Sequence, residues 1–142
     1  MSFEILDIDY FKQYNDRYGH QAGDDCVRAI AALIRQMESD QIFCARYGGD
    51  EFVIIYSGMS AEEVCERAEK LRQDVMALQI EQRYAEGSFG VTISQGICHD
   101  IPSNGNKNWD FLHVADQALY RVKRRGRNRL CMTDIHGREI EV

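Results

Sequence analysis

What this sequence lacks narrows what it can be. No apolar run approaches the length that a membrane-spanning helix needs, and there is no signal-peptide pattern, so membrane insertion is not expected. Five cysteines (Cys26, Cys44, Cys65, Cys98, Cys131) are odd in number, scattered and without any Cys-x-x-Cys pair. Neither a zinc site nor a disulfide framework fits that pattern, and the expectation is reduced core thiols in a cytoplasmic protein. Positive charge is not in excess: 17 basic against 23 acidic residues leave a net charge of −6. Bulk electrostatics therefore gives no reason to expect a nucleic-acid polymer as partner. Internal repeats and low-complexity tracts are absent, and the single proline, Pro102, falls in a loop-like stretch with Gly105 and several Asn residues.

What remains is an ordinary globular chain. Its 142 residues make one domain, large enough to bury roughly two-thirds of the unfolded surface. Apolar content is 44% and charged content 28%. The basic residues are uneven, however: Arg121, Lys123, Arg124, Arg125, Arg127 and Arg129 crowd one short segment that could hold a phosphate-bearing ligand.

In chain order, Phe3 to Ile8 is nearly all apolar and suits a central strand covered on both faces. Asp7 falls on the parity of Phe3 and Ile5, so it must lie beyond the strand's end or find a strong partner. A polar-aromatic loop or short helix, Asp9 to Asp16, comes next. A helix from Gly23-Asp24 to Met37 carries the stripe Val27, Ile30, Ala31, Ile34. Two β-favouring runs, Ile42 to Ala45 and Phe52 to Tyr56, flank Gly48-Gly49 and read as a hairpin whose glycines take positive φ. Ser60 with Glu63 forms a capping box, and Val64, Ala68, Leu71, Val75 and Leu78 mark the next buried helix face. A link containing Gly87 leads to a strand over Phe89 to Ile97, and a loop spans Asp100 to Asn108. A helix over Trp109 to Arg125 turns Phe111, Ala115, Ala118 and Val122 inward, with Leu119 and Tyr120 in the core and Gly126 as its stop. A last strand, Arg129 to Met132, closes one mostly antiparallel sheet flanked by helices, an α+β sandwich.

The chemistry centres on the hairpin. Gly48 and Gly49 leave room for a bulky ligand, and Asp50 and Glu51 sit beside the opening. If the hairpin pairs alongside the first strand, Asp7 and Asp50 form a compact carboxylate pair with Glu51 and Asp9 nearby. Such acids repel unless a cation sits between them, and an oxygen-only set suits Mg²⁺. Two ions there could activate a hydroxyl and neutralise a leaving phosphate, while Lys12, Lys123 and Arg127 supply charge for a triphosphate. Duller readings exist for each: surface hairpin acids, Asp7 as a strand-end cap, His20 as local packing, and helix-end cations favoured by the dipole alone.

Four segments, in order, carry a resemblance. Asp7-Ile8-Asp9-Tyr10-Phe11-Lys12-Gln13-Tyr14-Asn15-Asp16, Gly19-His20-Gln21-Ala22-Gly23-Asp24, Gly48-Gly49-Asp50-Glu51-Phe52, and Ala115-Asp116-Gln117-Ala118-Leu119-Tyr120 with Lys123 and Gly126-Arg127-Asn128 resemble the motifs of GGDEF domains, the diguanylate cyclases. The resemblance implies a nucleotidyl-cyclase fold related to the polymerase palm. It also implies condensation of two GTP into cyclic di-GMP, with release of two pyrophosphates, in a homodimer. It implies Mg²⁺ (or Mn²⁺), two per site, on Asp7, the Ile8 carbonyl and Asp50, with Glu51 assisting. Asp50 would be the base for the ribose 3′-hydroxyl, Asn15 and Asp24 the guanine readers, and His20 part of the substrate segment. Lys12, Lys123 and Arg127 would face the β- and γ-phosphates.

Two departures stand out. The family's R-x-x-D product-inhibition site would fall on Ser39 to Ile42, where the arginine is missing, so tight product binding there is not expected. The family's upstream D-x-L-T-G-L-x-N-R segment and its helix are also absent, so the expectation is a truncated domain over residues 1–142 with uncovered apolar sheet surface. The alternative to an enzyme is a non-catalytic module that binds GTP or cyclic di-GMP, or dimerises.

Overall fold

A central strand must be apolar toward both layers that cover it, and β1 (Ser2–Ile8) is buried along its whole length. The structure, a computed structural model, describes residues 1–82, 90–100 and 108–141. The link around Gly87, the start of the expected strand at Phe89 and the Pro102 loop lie outside the described residues. After β1 come α1 (Phe11–Tyr18), α2 (His20–Arg35), β2 (Ile42–Arg46), β3 (Glu51–Tyr56), α3 (Ala61–Ala77), β4 (Ile93–His99), α4 (Asn108–Arg124) and β5 (Leu130–Thr133). The sheet runs β2-β3-β1-β4-β5. β1 is antiparallel to β3 and β4, β2 is antiparallel to β3, and β4 and β5 are parallel. This is the expected α+β, mostly antiparallel architecture.

Alternation along β1 divides the core in two. Leu6 and Ile8, with Phe52, Ile54 and Tyr56, pack against Val27, Ile30 and Ile34 of α2 and Val64, Ala68, Leu71 and Val75 of α3. Phe3 and Ile5 face the other way, against Phe111, Val114, Ala115 and Leu119 of α4. The Phe3 and Phe111 rings stack with centroids 5.3 Å apart. Each such large side chain contributes about 1.5–3 kcal/mol by burial. On the hairpin half of this face Phe43 remains 61% exposed.

Gly96 on β4 lets α4 sit directly on the sheet backbone. A Cβ there would lie 2.2 Å from the Leu119 nitrogen and 2.3 Å from the Ala115 oxygen. Because α4 also carries Lys123, its seat on β4 fixes the height of that ammonium above the sheet.

Several boundaries differ from the sequence pattern. α2 begins at His20, not Gly23, because Gly19 (φ 91°) separates α1 from α2. Gly23 lies inside the helix, where a Cβ would stand 1.7 Å from the Asn15 Oδ1. Its role is close packing, not helix initiation. The capping box forms as expected, with Ser60 Oγ accepting from the Glu63 nitrogen and Glu63 Oε1 from the Ser60 nitrogen, both at 3.1 Å. Leu78 is not on a buried face: α3 ends at Ala77, and Leu78, its C-cap, is exposed. Tyr120 is also exposed, with the Arg124 guanidinium 5.9 Å from its ring centroid, whereas Leu119 beside it is buried. The tail folds back on β5, the Ile140 nitrogen donating to the Met132 carbonyl (2.9 Å) and Glu139 bridging to Thr133. All five cysteines are free, and burial pushes the Cys44 and Cys98 thiols up to about 12.

Candidate active site

Asp7 remains inside β1, on the α4 face, and finds its partner there. Lys123, in the last turn of α4, forms an ion pair with Asp7 Oδ2. Burial pushes the Asp7 carboxyl up to about 6, with the Asp9 and Asp50 charges adding to the rise. Lys123 opposes it through its hydrogen bond and its charge. Asp7 Oδ1 is buried and has no hydrogen-bond partner. A buried carboxylate oxygen without a donor is costly unless something else fills that place.

The hairpin pairs alongside β1, setting Glu51 opposite Asp7. Beyond that pair, the Ile8 nitrogen donates to the Asp50 carbonyl at 3.1 Å. The connection from 47 to 50 is four residues long, closed by the Tyr47 and Gly48 nitrogens on the Glu51 carbonyl at 2.8 and 3.2 Å. Neither Gly48 nor Gly49 has positive φ, contrary to expectation. The reason is loop length, since a two-residue primed turn is what demands positive φ. Nor do neighbours require them: a Cβ on Gly49 would meet nothing within 4 Å, and one on Gly48 only the Glu51 Cβ at 3.8 Å. Their effect is to leave the surface beside the acids clear. Arg46 braces the turn, donating to the Gly48 carbonyl (3.0 Å) and the Gly49 carbonyl (2.6 Å).

The other expected residues fall on α1, α2 and the turn after α4. Lys12 is exposed in the first turn of α1, and His20 is exposed at the start of α2. Asn15 is half-buried against Gly23, its Oδ1 buried without a hydrogen-bond partner, and exposed Asp24 follows Gly23 in the chain. The Arg127 guanidinium lies 4.7 Å from the Tyr10 ring centroid and 3.9 Å from Asp9 Oδ1. The carboxyl end of β1 thus gathers Asp7, Lys123, the hairpin acids and Arg127. Among the described residues, however, no three His, Cys, Asp or Glu side chains converge closely enough to form a ready cation site.

Sequence reasoning missed two supports: Arg46 as the brace of the turn, and Gln82. The Gln82 amide, 1% exposed, donates to the Tyr10 carbonyl at 3.1 Å. It holds a residue in the left-handed region (φ 55°) at the entrance to α1. One glutamine in the polar stretch after a helix, between Glu81 and Arg83, carries no signal for such a role.

In ligand type, though not as a closed cluster, Asp7, the Ile8 carbonyl and Asp50 suit a hard divalent cation. Their atoms are all oxygen, Asp7 Oδ1 is unpartnered, and Asp9 and Asp50 load negative charge onto the same carboxyl.

Acids at the end of a central strand, faced by Lys123 of α4 and by Arg127 of the turn after it, concentrate opposite charges at one end of an α+β sheet. The sequence model described as "Diguanylate cyclase, GGDEF domain" matches residues 1–129, and the chain belongs to the GGDEF family. It is 37% identical over 138 residues to a diguanylate cyclase of Vibrio cholerae, covering 89% of this chain and 38% of that protein. It is 35% identical to diguanylate cyclase A of Treponema denticola, covering 94% of this chain and 35% of that protein. The chain thus spans little more than a third of these relatives. Among solved structures, the GGDEF domain of DgcB from Caulobacter crescentus, in complex with c-di-GMP, superposes with a TM-score of 0.82 at 35% identity. That match covers 95% of this chain and 77% of the other. Among the described residues no helix is long and apolar enough to cross a membrane.

Proposed function

We propose that the chain is a diguanylate cyclase that condenses two GTP into cyclic di-GMP. The observation that carries this reading is Asp7, buried, ion-paired to Lys123, beside the hairpin acids and with one oxygen unpartnered. The 3′-oxygen of one GTP attacks the α-phosphorus of the other. A new P–O bond forms, the α–β bridge breaks, and pyrophosphate leaves with the electron pair. Repeating the step in the opposite sense closes the ring and releases the second pyrophosphate.

Mg²⁺ or Mn²⁺ held by Asp7, the Ile8 carbonyl and Asp50 would acidify the attacking hydroxyl and neutralise the leaving group. Asp50 takes the hydroxyl proton, and Glu51 stands next to it as a further oxygen donor. Lys12, Lys123 and Arg127 hold the β- and γ-phosphates, where charge accumulates. Asn15 and Asp24 read guanine through complementary donors and acceptors, with His20 in the same segment. Gly48 and Gly49 let the nucleotide lie against the turn. Each site holds one GTP, so the productive species is a homodimer with two sites facing each other.

Incubation with GTP and Mg²⁺, followed by chromatography, is expected to give cyclic di-GMP and pyrophosphate, with a rate that rises faster than enzyme concentration. Asp50→Ala is expected to abolish product while GTP binding survives. GTP binding without product in the unmodified chain would replace this reading with that of a binding module.

A further inference from the structure

The geometry points to Asp9 as a positioning residue that, with Arg72 of α3, builds the turn presenting Arg127 to the nucleotide phosphates. The inference rests on the reading of Arg127 given under Proposed function. Asp9 lies two residues beyond Asp7 and is 2% exposed, yet its environment is the reverse of its neighbour's. Its Oδ1 accepts from Ser94 Oγ at 2.6 Å. Its Oδ2 accepts from Thr92 Oγ1 at 2.7 Å and from the Asn128 backbone N–H at 3.1 Å. Both oxygens are engaged on short contacts, so this carboxylate serves the protein's own framework.

The framework it serves is strained. Gly126, Arg127 and Asn128 have φ of 111°, 66° and 49°, three consecutive left-handed residues of which two carry side chains. L-residues enter that region in succession only when their surroundings over-determine them. Four restraints do so. The Asn128 N–H is shared between Asp9 and Ser94 Oγ (3.2 Å), and the Arg127 N–H donates to the Val122 carbonyl at 3.0 Å. From the opposite side, Arg72 Nη1 donates to Asn128 Oδ1 at 3.0 Å, and Glu69 anchors the same guanidinium through Nε at 3.0 and 3.1 Å. The Arg127 carbonyl accepts from Arg129 Nε at 2.9 Å.

What this clamp achieves is visible at the end of the Arg127 side chain. The guanidinium lies over the Tyr10 ring, and its approach to Asp9 is long, 3.9 Å, so most of its five donors remain for a ligand. Asp9 therefore acts at two distances, fixing the turn by a direct hydrogen bond and orienting the guanidinium by charge without consuming its donors.

Calorimetry with GTP and with GMP separates this from general damage, because GMP lacks the phosphates that Arg127 would hold. Unmodified protein is expected to favour GTP, and Arg127→Ala to lose most of that preference. Asp9→Asn is expected to weaken GTP about tenfold and to change GMP by less than about twofold, the size of one charge-assisted contact. Arg72→Met, made on a different element, should reproduce the effect and carries the test if Asp9→Asn does not fold. Adding Asp9→Asn or Arg72→Met to Arg127→Ala should cost nothing further, since all act through one guanidinium. Equal losses for GTP and GMP, additive losses in the double variants, or an unchanged GTP-to-GMP ratio in both Asp9→Asn and Arg72→Met would overturn the proposal. An unmodified protein with no preference for GTP over GMP would instead overturn the phosphate-facing reading itself.

Discussion

Glu4 and Asp7 stand three residues apart on β1, both buried, and burial pushes both carboxyls up, to about 7 and about 6. Glu4 points into the α2–α3 core, where Tyr56 donates its hydroxyl at 2.6 Å, with the thiols of Cys44 and Cys65 in the neighbourhood. Asp7 points to the α4 side, where Lys123 pairs with it and Asp9 and Asp50 press on it. Each has one oxygen without a partner. Burial and an elevated pKa are common to both, so neither identifies a site. The company does: a cation and further acids around Asp7, a phenol and apolar walls around Glu4.

The first way to break this contrast is to remove each charge while keeping its shape. Asp7→Asn is expected to lower pyrophosphate release roughly 10³-fold, whereas Glu4→Gln changes it by less than about twofold. Comparable losses in the two variants would erase the distinction. Lys123→Met comes next, with an expected fall in kcat/KM of roughly 10²-fold as the phosphates lose a donor and Asp7 its partner. A variant at the unmodified rate would show that the ion pair is a scaffold contact alone.

The smallest effect sharpens the Glu4 half. Its folded pKa is raised from 4.5 to about 7, so the folded form holds a proton that the unfolded chain has already released between those values. The stabilisation is therefore complete below pH 4.5 and falls away as pH rises toward 7, by roughly 3 kcal/mol in all. Glu4→Gln should remove that decline, so that urea midpoints at about pH 5 and about pH 8 draw together. Parallel declines in the two proteins would mean that Glu4 does not hold its proton in the folded state.

The sheet and its helices were legible because they follow periodicity: β1 is apolar throughout, α3 announces itself with Ser60 and Glu63, and Gly126 follows the end of α4. The parity of Asp7 already required a partner, although periodicity could not name Lys123, which arrives from the far end of the chain by tertiary packing. Gly48 and Gly49 marked the hairpin turn but not its backbone conformation, since loop length is decided by where pairing stops. Tyr120 follows the helical stripe only approximately, and a residue at the margin of a stripe can turn to solvent, as it does beside Arg124. Arg46, Arg72 and Gln82 were illegible because each acts on a main-chain or amide oxygen, and any residue offers such an oxygen.

Gly96 has a mechanical consequence. At this one point no side chain separates helix from strand, so there is no soft layer there to absorb a shift. A tilt of α4 is therefore passed to β4 at Gly96, and it carries with it the ammonium of Lys123, about one turn beyond Leu119.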